Sequence, residues 1–220
     1  LYDSTRGVSS STNTLYPSLD FAASTESPNG LESFDTGGFT VSAQNAVNSN
    51  GNDFVAWCLK ANGGTTSSNA DGDITSTVQA NTDAGFSIVT WSSTSNSSDT
   101  IGHGLNKKPD VVLYKKLTGT SSWYFYTDVI DGSWDALSLN LTDAKSDVSG
   151  TWATSSTFKS ITTVSGADWI TYCFHSVSGF SKIGTYVGNG SDDGPIVELG
   201  FEPAFIMIRR TDAANWWVMW

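Results

Sequence analysis

The chain has few charged residues and few residues that bind transition metals. Charged residues make up 15% of its 220 residues, whereas about a quarter is usual in soluble domains. Its 2 Cys and 2 His occur without a Cys-x-x-Cys or His-rich spacing, which argues against a zinc site. The apolar runs fall far short of the roughly 18 residues that a membrane-spanning helix needs. We therefore expect neither membrane insertion nor structural zinc.

Basic residues are especially scarce. The chain has 11 Lys and Arg against 22 Asp and Glu, so its formal net charge is −11. Nucleic acids and anionic membrane surfaces are bound by clustered Lys and Arg. The longest basic runs here are pairs such as Lys115-Lys116 and Arg209-Arg210. Nucleic acid is therefore not an expected partner.

Small polar residues and aromatic rings take the place of charge, with 9 Trp, 7 Tyr and 11 Phe. Such residues suit turns and half-buried pleated strands. Apolar segments of strand length alternate with turn signals, and no helical stripe interrupts them. The predicted strands are Phe54–Cys58, Gly85–Trp91, Val111–Tyr114, Ser122–Tyr126, Trp169–Cys173 and Ala204–Ile208. The pattern predicts an all-β fold of antiparallel sandwich or jelly-roll type.

An internal repeat organises these segments. Gly85-Phe86-Ser87 recurs 94 residues later as Gly179-Phe180-Ser181. At the same offset, Val111–Lys116 matches Phe205–Arg210 in apolar pattern and in its final basic pair, and Trp123 matches Trp217. A match of this length without insertions predicts two copies of one strand unit.

A second match lies upstream, at an offset of 115 residues. Gly51–Cys58 pairs there with Gly166–Cys173, and the different offset reflects a longer loop in the first copy. We expect tandem modules at 1–150 and 151–220, the first beginning and the second ending in mid-unit. A single sandwich shared by both copies is the alternative.

Several phrases resemble an uncharacterised repeat domain of marine bacteriophage virion proteins, of the cyanophage and pelagiphage type. They are Ser33–Thr40, Asn52–Cys58, Ala84–Val89, Gly102–Leu105 with Pro109, and Trp169–Ser181. Proteins with this domain are described as structural or tail-fibre proteins, near concanavalin- or laminin-G-like lectin sandwiches. The resemblance implies a virion or extracellular location. It also implies partners that are copies of the chain or other virion proteins.

Two clusters of aromatic residues carry the candidate contacts. They are Trp123, Tyr124 and Tyr126 in the first copy, and Trp216, Trp217 and Trp220 in the second. Rings on both faces of a strand can be buried in the core, pack against a neighbouring subunit or stack on sugars. We favour packing in a multi-copy assembly over the alternative, a lectin-like module that attaches to host-surface glycans.

Catalytic chemistry finds little support in the sequence. His103 and His175 have no matching histidine in the other copy, and Glu198 and Glu202 are separated by a loop glycine rather than placed as a glycosidase pair. We therefore predict a non-enzymatic protein without a cofactor. Cys58 and Cys173 are read as buried free thiols, with a disulfide as the alternative.

Calcium finds more support in the sequence than zinc does. Asp71 and Asp73 lie in one acidic turn, and Asp192 and Asp193 lie in another. Carboxylate oxygens suit Ca²⁺, although the spacing of a calcium-binding EF-hand loop is absent and Asp-Gly is also an ordinary hairpin turn.

Overall fold

The computed structural model describes residues 1–8, 14–24 and 30–219. Almost all of its regular structure is β, because the only helix described is a single turn. In chain order the elements are β1 (Leu31–Asp35), β2 (Gly38–Val41), α1 (Asn45–Asn48), β3 (Ser67–Asn69), β4 (Ser76–Asn81), β5 (Phe86–Ser92), β6 (Thr100–Gly102), β7 (Val111–Lys116), β8 (Tyr124–Thr127), β9 (Trp134–Ser138), β10 (Ser146–Val148), β11 (Thr157–Lys159), β12 (Asp168–Phe174), β13 (Met207–Ile208) and β14 (Val218–Met219). The all-β prediction is confirmed.

One antiparallel sheet of eight strands dominates the fold, in the order β10-β9-β8-β7-β12-β5-β4-β3. Its central strand is β12, which pairs along its length with β5 on one side and β7 on the other. The sheet therefore takes strands from both sides of the boundary predicted between residues 150 and 151. β12 of the predicted second module belongs to this sheet, and Phe158 of β11 belongs to its core.

Both faces of this sheet are covered, which explains why β12 has apolar residues on each face. Trp169 and Cys173 point to one face, where Ile101 of β6 and Phe158 of β11 pack. Ile170 and Tyr172 point to the other face, against the N-terminal segment that includes Leu15. Alternate side chains of a strand point to opposite faces, so a strand covered on both sides needs apolar residues throughout.

Buried hydrogen bonds tie the N-terminal segment to this second face. The Tyr172 hydroxyl donates to Asp3 Oδ2 at 3.1 Å, and Asp3 also pairs with Arg6 at 2.6 Å. The fully buried Gln79 side chain donates to the hydroxyl oxygens of Ser4 and Thr5, each at 3.1 Å. The segment is therefore held by polar contacts as well as by apolar burial.

Most of the predicted strands are present, but one is not. Gly85–Trp91, Val111–Tyr114, Ser122–Tyr126 and Trp169–Cys173 coincide closely with β5, β7, β8 and β12, whereas only the end of Ala204–Ile208 forms a strand. No strand is formed over Phe54–Cys58 in the described structure, where residues 51–60 are exposed. No described helix has the length and apolar character of a membrane span.

The small hairpin of β13 and β14 has the same pairing as the larger hairpin of β7 and β8. In β7–β8, Leu113 lies opposite Phe125 and Tyr114 lies opposite Tyr124. In β13–β14, Met207 lies opposite Met219 and Ile208 lies opposite Val218. Adding 94 to the first set of numbers gives the second, so the register agrees with the offset found in the sequence.

Candidate packing interface

The β13–β14 hairpin packs on the loop that follows β9, at one end of the large sheet. Arg209, directly after β13, donates through Nη1 to the carbonyl oxygens of Ser138 and Leu141, at 2.5 and 2.7 Å, and through Nη2 to that of Asp143. Three carbonyl oxygens converging on one guanidinium fix its position, because the guanidinium is planar and its donors are rigidly placed.

Trp217 forms the apolar part of the same contact. Its ring lies 5.0 Å from that of Phe125 between centroids, and its Nε1 donates to the Ser138 carbonyl at 3.1 Å. The Arg209 guanidinium lies over the Trp217 ring at 5.4 Å. A cation stacked on a ring, and two rings in contact, each stabilise a contact by more than the buried apolar area alone. Arg209 and Trp217 together therefore anchor the hairpin.

Backbone hydrogen bonds continue the contact on both sides of Trp217. The Lys145 amide donates to the Thr211 carbonyl and the Asn215 amide donates to the Thr142 carbonyl, each at 2.8 Å. Residues 138–145 and 209–217 thus form one connected packing interface. We call it the hairpin interface.

A group of charged side chains borders this interface. Asp135 on β9 lies directly opposite Asp147 on β10, and the Lys145 ammonium lies 2.7 Å from a carboxylate oxygen of each. Asp131 completes the group at 2.8 Å from the same ammonium. Like charges directly opposite each other destabilise a sheet, so Lys145 supplies the compensating positive charge.

The electrostatics of this group follow from its burial. The Asp135 side chain is fully buried, whereas 77% of the Asp147 side chain is exposed. Burial raises the pKa of Asp135, against the opposing hydrogen bond from Lys145. The three carboxylates raise the pKa of Lys145, and the largest contribution is the hydrogen bond that Lys145 donates to Asp131. The three carboxylates lie within 4.8 Å of one another and could ligate a cation, but the Lys145 ammonium lies among them.

The predicted aromatic residues fall in three different environments. Trp123 is fully buried and donates from Nε1 to the Tyr16 carbonyl at 2.8 Å, while Tyr126 stacks on Trp152 at 4.5 Å. Tyr124 is half-buried at the edge of the same core. Trp216 is 66% exposed on the hairpin, beside the packed Trp217. Trp220 lies outside the described residues.

The structure does not bring the predicted calcium turns together. Asp71 is exposed and accepts a hydrogen bond from the Asn69 amide group, while Asp73 accepts bonds from the Thr100 amide and hydroxyl. Asp192 and Asp193 lie in an exposed loop. Among the described residues, the group of three acidic side chains close enough to share an ion is instead Asp131, Asp135 and Asp147. The sequence signal for this group was an acidic pair flanking a turn, followed by Lys-Ser-Asp on the next strand.

The remaining candidate residues have structural partners. His103 is fully buried, and both its ring nitrogens lie near backbone groups: the Leu105 amide donates to Nδ1 at 3.1 Å, and Nε2 lies 3.2 Å from the Thr154 carbonyl. His175 is also buried, and its Nδ1 lies 3.0 Å from the Ser176 carbonyl. The two cysteines are free, and the expectation that both are buried is wrong for Cys58, which is exposed.

Fold and interface together define an all-β protein in which a short hairpin packs against one end of a large antiparallel sheet. A family model described as a domain of unknown function (DUF7483) matches residues 1–220, so the chain belongs to this family. No curated protein and no solved structure matches the chain.

Proposed function

We propose that the chain is a non-enzymatic structural module of a multi-copy extracellular assembly, of the virion or tail-fibre type. In this proposal it acts by packing repeated all-β units against one another. The finer architecture we propose is a tandem of concanavalin- or laminin-G-like sandwich units. The covered faces of the large sheet and the matching hairpin registers support that architecture.

The hairpin interface is the observation that carries the proposal. It joins the second copy of the repeated strand pair to the first copy through Arg209, Trp217 and two backbone hydrogen bonds. A protein whose function is assembly needs specific contacts between units. Three backbone carbonyl oxygens orient the Arg209 guanidinium at this interface, as a structural contact requires.

The outer face of the hairpin offers the next contact. Trp216 lies just before β14, next to the packed Trp217, and Val218 is the first residue of β14. They are 66% and 43% exposed. Exposed aromatic and apolar groups on a rigid strand are typical of protein interfaces. We propose that this face contacts another copy of the chain.

Sedimentation velocity tests the proposal. The wild-type chain should associate reversibly as its concentration rises, and more strongly at 0.5 M salt than at 0.05 M, because the net charge of −11 makes copies repel. The double variant Trp216→Ser, Val218→Ser should remain monomeric. A matched control, Val187→Ser with Ile196→Ser, removes two side chains that are each 87% exposed and should associate like the wild type. A wild-type chain that stays monomeric throughout would contradict the proposal.

Exposure of Trp216 also favours a second candidate function, carbohydrate binding. An open indole ring is a surface on which a sugar ring can stack. A glycan array with the wild-type chain and with Trp216→Ala separates the two functions. Glycan binding that disappears in the variant would support a lectin-like role. No glycan binding by the wild-type chain would contradict that role.

A further inference from the structure

Four largely exposed segments of this chain correspond to four adjacent strands in the core of the large sheet. The 94-residue offset relates residues 180–186 to β5, 205–210 to β7, and 217–219 to Trp123 and the first two residues of β8. The 115-residue offset relates residues 53–59 to β12, the central strand. In the large sheet these strands are neighbours in the order β5-β12-β7-β8.

The corresponding side chains differ sharply in burial. Ile170 of β12 is fully buried, whereas its counterpart Val55 is 74% exposed. Phe86 of β5 is 6% exposed, and its counterpart Phe180 is 62% exposed. These segments have the apolar composition of strands in a sheet that is covered on both faces. Exposure of their apolar side chains to water is unfavourable.

The turns that precede these segments already have the conformation found in the large sheet. Gly166, before β12, has φ of 74°, and its counterpart Gly51 has φ of 79°. Gly85, before β5, has φ of 66°, and its counterpart Gly179 has φ of 74°. Positive φ is readily adopted by glycine, so a glycine in the left-handed region precedes each of these two segments, as it precedes β12 and β5.

The structure also brings the segments close to one another. The rings of Trp57 and Phe205 lie 6.2 Å apart between centroids. The β12–β7 register, transferred by the two offsets, would place Leu59 opposite Phe205 and Trp57 opposite Met207. Trp57 and Phe205 are then diagonal neighbours on one face, a distance that aromatic side chains span. Phe180 and Lys60 line one open cavity, next to the position where Leu59 would meet Phe180.

We propose that residues 53–59 form the central strand of a second antiparallel sheet, inserted between residues 180–186 and 205–210 of the same chain. The resulting order is 180–186, 53–59, 205–210 and 217–219. The Trp57–Phe205 contact, which joins two of these segments within one chain, favours closure within the same chain. The N-terminal and C-terminal parts of the chain then complete one unit together. This inference does not rest on the proposed function.

Cys58 provides a direct test of the register. Its counterpart Cys173 lies opposite Val112 of β7 and Ser87 of β5, so Cys58 should lie opposite Ile206 and Ser181. A residue that forms a hydrogen-bonded pair with one neighbouring strand forms a closer, non-hydrogen-bonded pair with the other. At least one of the variants Ile206→Cys and Ser181→Cys should therefore bring a thiol within disulfide reach of Cys58.

The experiment is oxidation of purified chains, followed by intact mass and non-reducing electrophoresis. We expect an intrachain disulfide in monomer with Ile206→Cys or Ser181→Cys, at a yield at least about tenfold above that of the matched controls Phe205→Cys and Met207→Cys, whose side chains point to the opposite face. Equal yields from all four variants, or no disulfide from any, would overturn the proposal. Disulfides between chains would also overturn it, since they would make a second copy the source of the strand.

Hydrogen exchange on the unmodified chain gives a measurement that needs no variant. Amides of residues 54–58 should exchange at least about 100-fold more slowly than in an unstructured peptide, as those of a central strand do. Exchange at the unstructured rate would overturn the proposal. Sedimentation tests only contacts between chains, so failure of the proposed function would leave these intrachain results unchanged.

Discussion

Stability below neutral pH should depend strongly on one buried imidazole, that of His103. Burial lowers its pKa to about 4 from an ordinary value of 6.5, with smaller opposing contributions from the Thr154 hydrogen bond and from Asp71. The geometry agrees, because Nδ1 accepts a hydrogen bond from the Leu105 amide and would lose that bond on protonation. The folded chain therefore holds this ring neutral.

The sign of the effect follows from which state binds the proton first. Between pH 6.5 and 4 the unfolded chain protonates His103 while the folded chain does not, so the stability is complete above pH 6.5 and falls as the pH drops. From the pKa of about 4, the loss by pH 4.5 is about 2–3 kcal/mol. His103→Gln removes this titration while retaining a donor and an acceptor.

Urea unfolding followed by tryptophan fluorescence measures the effect. Wild type and His103→Gln are compared at intervals from pH 7.5 to 4.5, so that carboxylates common to both cancel in the difference. The wild type should lose about 2–3 kcal/mol more than the variant over this range. Parallel curves, or an NMR titration that places the His103 pKa near 6.5, would refute the reasoning.

Two further predictions concern lysine ammonium groups. Lys145→Met leaves the buried Asp135 without its counter-charge and should lower the urea midpoint of unfolding clearly. Asp147→Asn, at a mostly exposed partner, should lower it much less. Equal shifts of the two midpoints would contradict this account. Burial lowers the pKa of Lys115 to about 8 from 10.5, so the unfolded chain keeps this proton to higher pH than the folded one. Between pH 7 and 9.5 the wild type should therefore gain about 1–2 kcal/mol relative to Lys115→Met, and a constant difference over that range would show that the ammonium is not perturbed.

The sequence predicts much of the large sheet because its strands obey local rules. β5, β7, β8 and β12 are short apolar runs flanked by turn residues, and burial on both faces of β12 makes the signal strong. The short strands β3, β6, β10 and β11 have three residues each and few apolar side chains. Tertiary pairing alone defines them, so no pattern within the sequence could mark them.

The packing interface was harder to foresee than the strands. The aromatic clusters marked the region, but the separation of a packed Trp217 from an exposed Trp216 depends on which face of the hairpin meets Phe125. The acidic group around Lys145 depends on the β9–β10 register, which places Asp135 opposite Asp147. A shift of one residue would separate these side chains onto opposite faces, and the sequence alone does not specify that register.

A double-mutant cycle on Phe125 and Trp217 tests most directly whether the repeated units pack against one another. Unfolding free energies of Phe125→Ala, Trp217→Ala and the double variant should give a coupling energy of about 0.5–1.5 kcal/mol, the range for ring pairs in contact. The same cycle with Trp216, which points away from Phe125, should be additive. A coupling energy of zero between Phe125 and Trp217 would contradict packing between the units.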